Sequence, residues 1–178
     1  MPTYPPIILT VPLEWAGRQL SGILRSTLEF SRTQIRSLKK GQLVFLNDQP
    51  VPLWHTVTEG DIIKIALPVM EQTLSGEDLP VDIIYEDADL VVVNKQPGIV
   101  VHPVRGHYSG TLANALVFLW ASRNECASFH PVHRLDRWTS GLVVIAKSPW
   151  SHQQLDRAWR LTAMFLRSRS KRFTSGAI

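Results

Sequence analysis

Two short runs, Leu90-Val91-Val92-Val93-Asn94 and Leu142-Val143-Val144-Ile145-Ala146, constrain this chain more than any other feature. Both are crowded with β-branched residues and lack polar alternation, so they read as strands apolar on both faces that must be covered. Neither approaches the roughly 18 residues a membrane span needs, and nothing elsewhere does. The amino terminus shows no basic segment followed by a long apolar run, hence no secretory signal. An apolar fraction of 44% in 178 residues supplies a real core, for one ordinary domain or two small ones. The single cysteine, Cys126, excludes a disulfide framework and a cysteine-cluster metal site, and fits a reducing cytoplasm.

Upstream of these runs the pattern is different. Leu20, Ile23, Leu24 and Leu28 fall at helical spacing within 17–28. Ser31 with Gln34 three residues on forms a capping-box pattern, which predicts a helix to about Lys40 with Gly41 as its stop. Leu43 to Leu46 predicts a strand, Asn47-Asp48 a turn, Gly60-Asp61 another turn, and Ile62 to Ile65 a second strand. The unit is two helices followed by a small sheet. Residues 68–80, with Pro68, Ser75-Gly76-Glu77-Asp78 and Pro80, read as a linker. Beyond it, Asp82 to Tyr85 predicts a strand, Glu86 to Asp89 a turn, Leu112 to Trp120 a helix, and Gln153 to Phe165 another with Leu155, Ala158, Trp159 and Thr162 on one face.

Charge is unevenly spread. The net charge is +4, yet residues 157–178 alone carry Arg157, Arg160, Arg167, Arg169, Lys171 and Arg172 and no acid. Residues 31–41 hold Arg32, Arg36, Lys39 and Lys40, again without an acid. Such clusters attract phosphate backbones, though each also reads as a solvated helix face.

Chemistry concentrates in His133-Arg134-Leu135-Asp136-Arg137-Trp138-Thr139-Ser140-Gly141-Leu142, which runs on to Ala146-Lys147. This stretch resembles the catalytic motif of the RluA-type pseudouridine synthases: His-Arg-Leu-Asp, two variable residues, Thr-Ser-Gly, an apolar strand, then Ala-Lys. Trp138 stands where a small or polar residue is common. Tyr85-Glu86-Asp87, Asn94-Lys95, Pro97-Gly98 and His102-Pro103 resemble the opening of the same catalytic domain, with Gln96 where the family usually has proline. Over 13–67 the chain resembles an S4 RNA-binding domain, through Arg18, Leu20, Ser31 to Ile35, Lys40-Gly41, Val44, Asn47 and Glu59 to Ile63. Gln19 departs from the acid usual there.

The resemblance implies an α+β chain: a small S4-like αα-β domain over 13–67, a linker over 68–80, and the first half of a mixed, mostly antiparallel synthase sheet with flanking helices over 81–160. It implies isomerisation of uridine to pseudouridine in structured RNA. Ribosomal RNA is the family's commonest substrate and transfer RNA the alternative. The enzyme is expected to be a cytoplasmic monomer that needs no membrane. That reaction breaks an N-glycosidic bond, turns the base and rejoins it through carbon, so it calls for one carboxylate and a pocket, without cofactor or metal. By resemblance the carboxylate is Asp136, acting either on the sugar carbon or on a sugar proton. Arg134 and Arg137 would favour its ionised form, and Gly141 would let the backbone turn. Arg134 would contact RNA near a flipped-out nucleotide. Thr139 and Ser140 would either meet the substrate or satisfy turn amides. Arg18, Arg32, Arg36, Lys39 and Lys40 would track phosphates. Lys95 reads as structural or RNA-facing. His102, His107, His130 and His133 could suggest zinc, but no acid or cysteine stands at ligand spacing beside them.

Past Trp159 the likeness fades, and 161–178 reads as a basic tail outside the family pattern. The family's Lys-x-Tyr strand, whose tyrosine stacks on the target base, has no clear counterpart, and Lys171-Arg172-Phe173 is a faint echo placed too late. From Val81 only 98 residues remain, against roughly two hundred for a domain of this kind. The expectation is a shortened catalytic domain with little or no turnover. The competing expectation is a non-catalytic RNA-binding protein using the S4-like unit and the basic tail.

Overall fold

Each of the two apolar runs becomes an inner strand of one antiparallel sheet, and a second antiparallel sheet forms upstream. The computed structural model describes residues 4–68 and 74–173, with side chains through Thr162. Two units emerge, within residues 1–71 and 72–178, and the chain is α+β.

In the first unit β1 (Ile7–Thr10), β4 (Ile62–Ile65), β2 (Val44–Leu46) and β3 (Gln49–Pro50) lie side by side in that order, every pair antiparallel. Helices α1 (Leu20–Ser26) and α2 (Arg32–Gly41) precede β2. Their apolar stripes, Leu20, Ile23 and Leu24 from α1 and Leu38 from α2, are buried, as are Val44, Leu46, Ile63 and Ile65 from alternate positions of the strands. The capping box forms as expected: Ser31 Oγ accepts the Gln34 amide at 3.2 Å, and Gln34 Oε1 accepts the Ser31 amide at 2.7 Å. The helix stop falls one residue later than the glycine suggests. Gly41 closes α2, and Gln42 takes the left-handed conformation at φ 51°. Asn47 and Asp48, both with positive φ, make the two-residue hairpin turn whose twist suits adjoining strands. The unit also reaches further upstream than residue 13. Strand β1 pairs along β4 from Ile7 against Ile65 to Thr10 against Ile62, a pairing hidden in the sequence by the prolines on either side.

In the second unit the order is β5 (Ile83–Glu86), β6 (Leu90–Lys95), β8 (Gly141–Ala146) and β7 (His130–Pro131), again antiparallel throughout. Helix α3 (Leu112–Ser122) is capped by a Thr111–Asn114 box. It covers one face, where Leu112, Leu116 and Trp120 bury against Val91, Val93, Val143 and Ile145. The stretch expected to be a linker is partly tied to this unit. Asn114 donates to Ser75 O at 2.7 Å, Glu77 accepts the Gly110 amide at 3.0 Å, and Leu74 and Val81 pack on the core. Helix α4 (Pro149–Phe173) starts at a proline, which suits the first helical position, and runs further than the pattern predicts. The side chains of Phe165 and of the Lys171-Arg172-Phe173 echo lie outside the described residues. No helix among the described residues is long and apolar enough to cross a membrane.

The end of the β6–β8 ladder at Leu90 and Ala146 is closed by Lys147, 3% exposed. Its ammonium meets Glu125 at 2.6 Å and Glu86 at 2.9 Å, while Glu86 also accepts from Arg123 at 2.8 Å and Trp120 Nε1 at 3.2 Å. Burial raises the Glu86 pKa, but these donors outweigh it and hold the carboxyl below its ordinary value. Lys147→Ala leaves Glu125 without its ion-pair partner and Glu86 with Arg123 and Trp120 alone, so it should destabilise the second unit by about 1–3 kcal/mol in urea unfolding. A loss under about 0.5 kcal/mol would mean that solvent alone carries the charge.

Candidate active site

At the other end of the same ladder Lys95 pairs with Gly141, and the two inner strands open into loops 96–99 and 134–140. The Lys95 side chain turns inward rather than to solvent and is 1% exposed. Its ammonium donates to three carbonyls: Gln96 at 3.1 Å and Ile99 at 2.9 Å in one loop, Arg137 at 3.1 Å in the other. Burial pushes this lysine below its ordinary pKa, and the negative charge of Asp136 opposes that shift. The two loops are joined again by a reciprocal pair. The Gly98 amide donates to Arg137 O at 2.8 Å, and Arg137 Nε donates to Gly98 O at 3.1 Å. Gly98 stands at φ 90° in contact range of the Trp138 ring, and Gly141 at φ 139° lets β8 begin directly after the loop. Both conformations favour glycine.

Asp136 sits on this clamped turn, with its own carbonyl accepting the Thr139 amide at 3.1 Å. Its side chain is exposed and takes no hydrogen bond or ion pair among the described residues. Neither flanking arginine forms an ion pair with it among the described residues. Arg137 is committed to Gly98 and lies over the Trp138 ring at 5.1 Å, and Arg134 is exposed without a partner among the described residues. The charge of Asp136 is felt at the buried Lys95, where it opposes the effect of burial. Thr139 and Ser140 are exposed on the same loop, and neither side chain caps a turn amide. Asp136, Arg134, Thr139 and Ser140 therefore share one exposed loop held from beneath.

His133 fixes where that loop leaves the sheet. Val132 N donates to Val144 O at 2.9 Å, and the next acceptor along the edge is the His133 ring, whose Nε2 takes the Val144 amide at 3.3 Å. The ring stacks on Trp159 of α4, 4.6 Å between centroids. Burial lowers the His133 pKa, in keeping with a neutral ring that accepts. Nearby, His130 bonds Ser128 Oγ at 2.8 Å and faces His152 at 5.8 Å; burial first, then His152, depress its pKa to about 4. Among the described residues no three His, Cys, Asp or Glu side chains are grouped to hold a metal.

The other expected residues lie in the first unit. Arg32, Arg36, Lys39 and Lys40 are exposed along α2, with no ion pair among the described residues. Arg18 is half-buried and tied to Ser26 Oγ at 2.8 Å and Thr27 Oγ1 at 3.2 Å. The tying role of Lys95 was not legible beforehand. The only signal was a lysine closing an apolar run, and it did not reveal three carbonyl partners.

Comparison with known proteins gives one consistent result. Residues 89–165 match the family described as RNA pseudouridylate synthase, some residues beyond the point where the motif pattern fades. The chain is similar to the "Ribosomal large subunit pseudouridine synthase D" of Neisseria meningitidis serogroup A, 37% identical over 86% of this chain and 41% of that one. An "Uncharacterized RNA pseudouridine synthase" of Aquifex aeolicus is 37% identical over 86% of this chain and 50% of its own length. One from Bacillus subtilis is 34% identical over 84% and 51%. The chain thus spans about half the length, or less, of these relatives.

Two outcomes follow from the geometry. Lys95→Met keeps the bulk and removes the donors, leaving the Gln96 and Ile99 carbonyls short of a partner and Arg137 O with the Gly98 amide alone; it should destabilise the second unit by about 2–3 kcal/mol. Hydrogen exchange of the Gly98 and Thr139 amides should quicken as the loops part, and unchanged protection would show that Lys95 is not the tie. The second outcome concerns acid. An unfolded His130 titrates near 6.5 and the folded one near 4, so between those values the unfolded chain binds the extra proton. Stability should be full above pH 6.5 and fall as pH drops toward 4. His130→Gln should flatten that slope in urea titrations, and an unaltered slope would place the acid sensitivity elsewhere.

Proposed function

We propose that this chain, whose residues 89–165 match the RNA pseudouridylate synthase family, is an RluA-type enzyme that isomerises uridine to pseudouridine in RNA, with Asp136 as its catalytic carboxylate. The observation that carries the reading is an exposed, unpaired carboxylate on a turn clamped by Lys95 and Gly98. A nucleophile or base needs just such a free, fixed position. Arg134, exposed on the same loop and without a partner among the described residues, is available for the phosphate beside a flipped-out uridine. Thr139 and Ser140 offer hydroxyls to the same substrate. Ribosomal RNA is the substrate we favour, in keeping with the printed name of the Neisseria relative. Transfer RNA is the alternative. The S4-like first unit, through the cations of α2, would hold the RNA by its phosphates, and the enzyme would work as a cytoplasmic monomer.

A second reading, RNA binding without turnover, is favoured by that same helix, because its cations can hold RNA with no help from Asp136. One experiment separates the two. The chain and its Asp136→Asn variant are incubated with ribosomal and transfer RNA, and pseudouridine is mapped by carbodiimide primer extension. The shortened domain is expected to turn over little; the variant keeps shape and loses charge, so whatever turnover the parent chain shows should fall below detection while RNA affinity stays within about twofold. Near-parental turnover by the variant would remove Asp136 from the chemistry. Binding by the parent chain without any pseudouridine would establish the second reading.

A further inference from the structure

The first unit carries a groove of about 660 Å³ that the reading above does not use. It lies beside α2, lined by Ile35, Leu38, Lys39 and Gln42 of that helix and its cap, and by Pro52 and Trp54 of the segment after β3. That volume falls within the roughly 300–1,000 Å³ typical of small-ligand sites. Trp54 is 70% exposed, so the fold gains little from its bulk. Yet the backbone on both sides of it is fixed. Leu53 O accepts the Ser21 amide at 2.8 Å, His55 O accepts the Leu20 amide at 3.0 Å, and the His55 amide closes a turn onto Pro52 O at 3.0 Å. Leu53 is itself buried. A large aromatic ring is thus presented to solvent on a rigid support, with His55 next to it at 6.4 Å between ring centroids.

The charge around the groove is of one sign. Lys39 is the one charged residue lining it, and Arg32, Arg36 and Lys40 stand on the same helix, none in an ion pair among the described residues. A positively charged track beside an exposed aromatic platform is the arrangement that binds unpaired nucleotides: cations follow the backbone, and the ring stacks on a base. Gln42, on the groove wall, has both donor and acceptor atoms for a base edge.

We propose that this groove takes one unpaired nucleotide of an RNA strand, its base stacked on Trp54 and its phosphate met by Lys39. The proposal rests on the reading that the first unit binds RNA, and it adds a preference that phosphate tracking alone cannot supply, for a single strand or loop over a duplex. Stacked bases in a duplex have no free face to offer.

The test uses the whole chain and a fluorescein-labelled 12-residue RNA, single-stranded or annealed to its complement, titrated over a range of salt concentrations. Trp54→Ala should weaken single-strand binding between about fivefold and a hundredfold, leave the salt slope unaltered, and leave duplex binding as it was. Trp54→Phe should restore most of the loss. Abasic sites in the RNA should weaken the parent chain to the level of Trp54→Ala and leave that variant unaffected, a comparison that needs no change to the protein. The combined Arg32→Ala, Arg36→Ala and Lys40→Ala variant should flatten the salt slope for both RNAs. If that triple variant weakens binding while Trp54→Ala does not, the groove is refuted and the RNA-binding reading stands. Equal loss on single strand and duplex likewise overturns base stacking. Failure of the parent chain to bind either RNA overturns both.

Discussion

The buried ammonium of Lys95 is the contact on which the candidate site depends. Three carbonyls from two loops meet at one nitrogen, the farthest of them 42 residues along the chain from the lysine. Carbonyls in loops have no ladder to satisfy them, and buried ones left bare are costly. A single donor with three hydrogens resolves that cost for both loops at once. It also places a positive charge beneath the turn of Asp136. The carboxylate itself remains unpaired, so its position comes from its backbone and leaves both oxygens open to a substrate. An arginine paired directly with it would hold the same position while occupying those oxygens.

A second lysine does the complementary work at the far end of the same two strands. Lys147 follows β8 where Leu90 pairs with Ala146, just as Lys95 ends β6 where it pairs with Gly141. Both are nearly inaccessible, 1% and 3% exposed. Their partners differ in kind. Lys147 is neutralised by Glu86 and Glu125, which makes that end a charge-balanced seal over Trp120. Lys95 has only neutral carbonyls in direct contact, with Asp136 as the compensating charge further off. One end is closed by ion pairs, the other by hydrogen bonds from an ammonium to neutral carbonyls. The apolar core of Val91, Val93, Val143 and Ile145 lies between them and keeps the two ends at fixed separation.

The first unit is built on a different economy of contacts. Its helices are short, seven and ten residues, and isolated helices of that length are marginal in water. They persist because Leu20, Ile23, Leu24 and Leu38 are buried, as are Val44 and Ile63 of the sheet, and because each start is tied down: α2 by its capping box, α1 by the carbonyls of Leu53 and His55. The second of these ties also holds the backbone under Trp54. The opposite face of α2 is left to Arg32, Arg36, Lys39 and Lys40, so burial on one side and charge on the other follow from one helical period.

Much of this was legible in the residues. Helices α1 and α2, the Asn47-Asp48 hairpin, strands β2, β4, β6 and β8 and helix α3 are local patterns: spacing, capping pairs, turn chemistry and β-branched runs. The likeness to a uridine isomerase likewise lay in a contiguous motif. What the sequence could not disclose were partners far apart along the chain. Strand β1 has no signature of its own and exists only because β4 offers it an edge. Arg137 was expected to lend positive charge beside Asp136, and the fold also commits its side chain to Gly98, 39 residues away in sequence. His133 looked like a motif residue and proves to be a strand acceptor. Sequence alone determined the motif and its likeness to a synthase, because identity and short-range order are written there. Tertiary structure decided what holds the loop of Asp136, because that depends on which distant carbonyls and strand ends the packed core brings within hydrogen-bond reach.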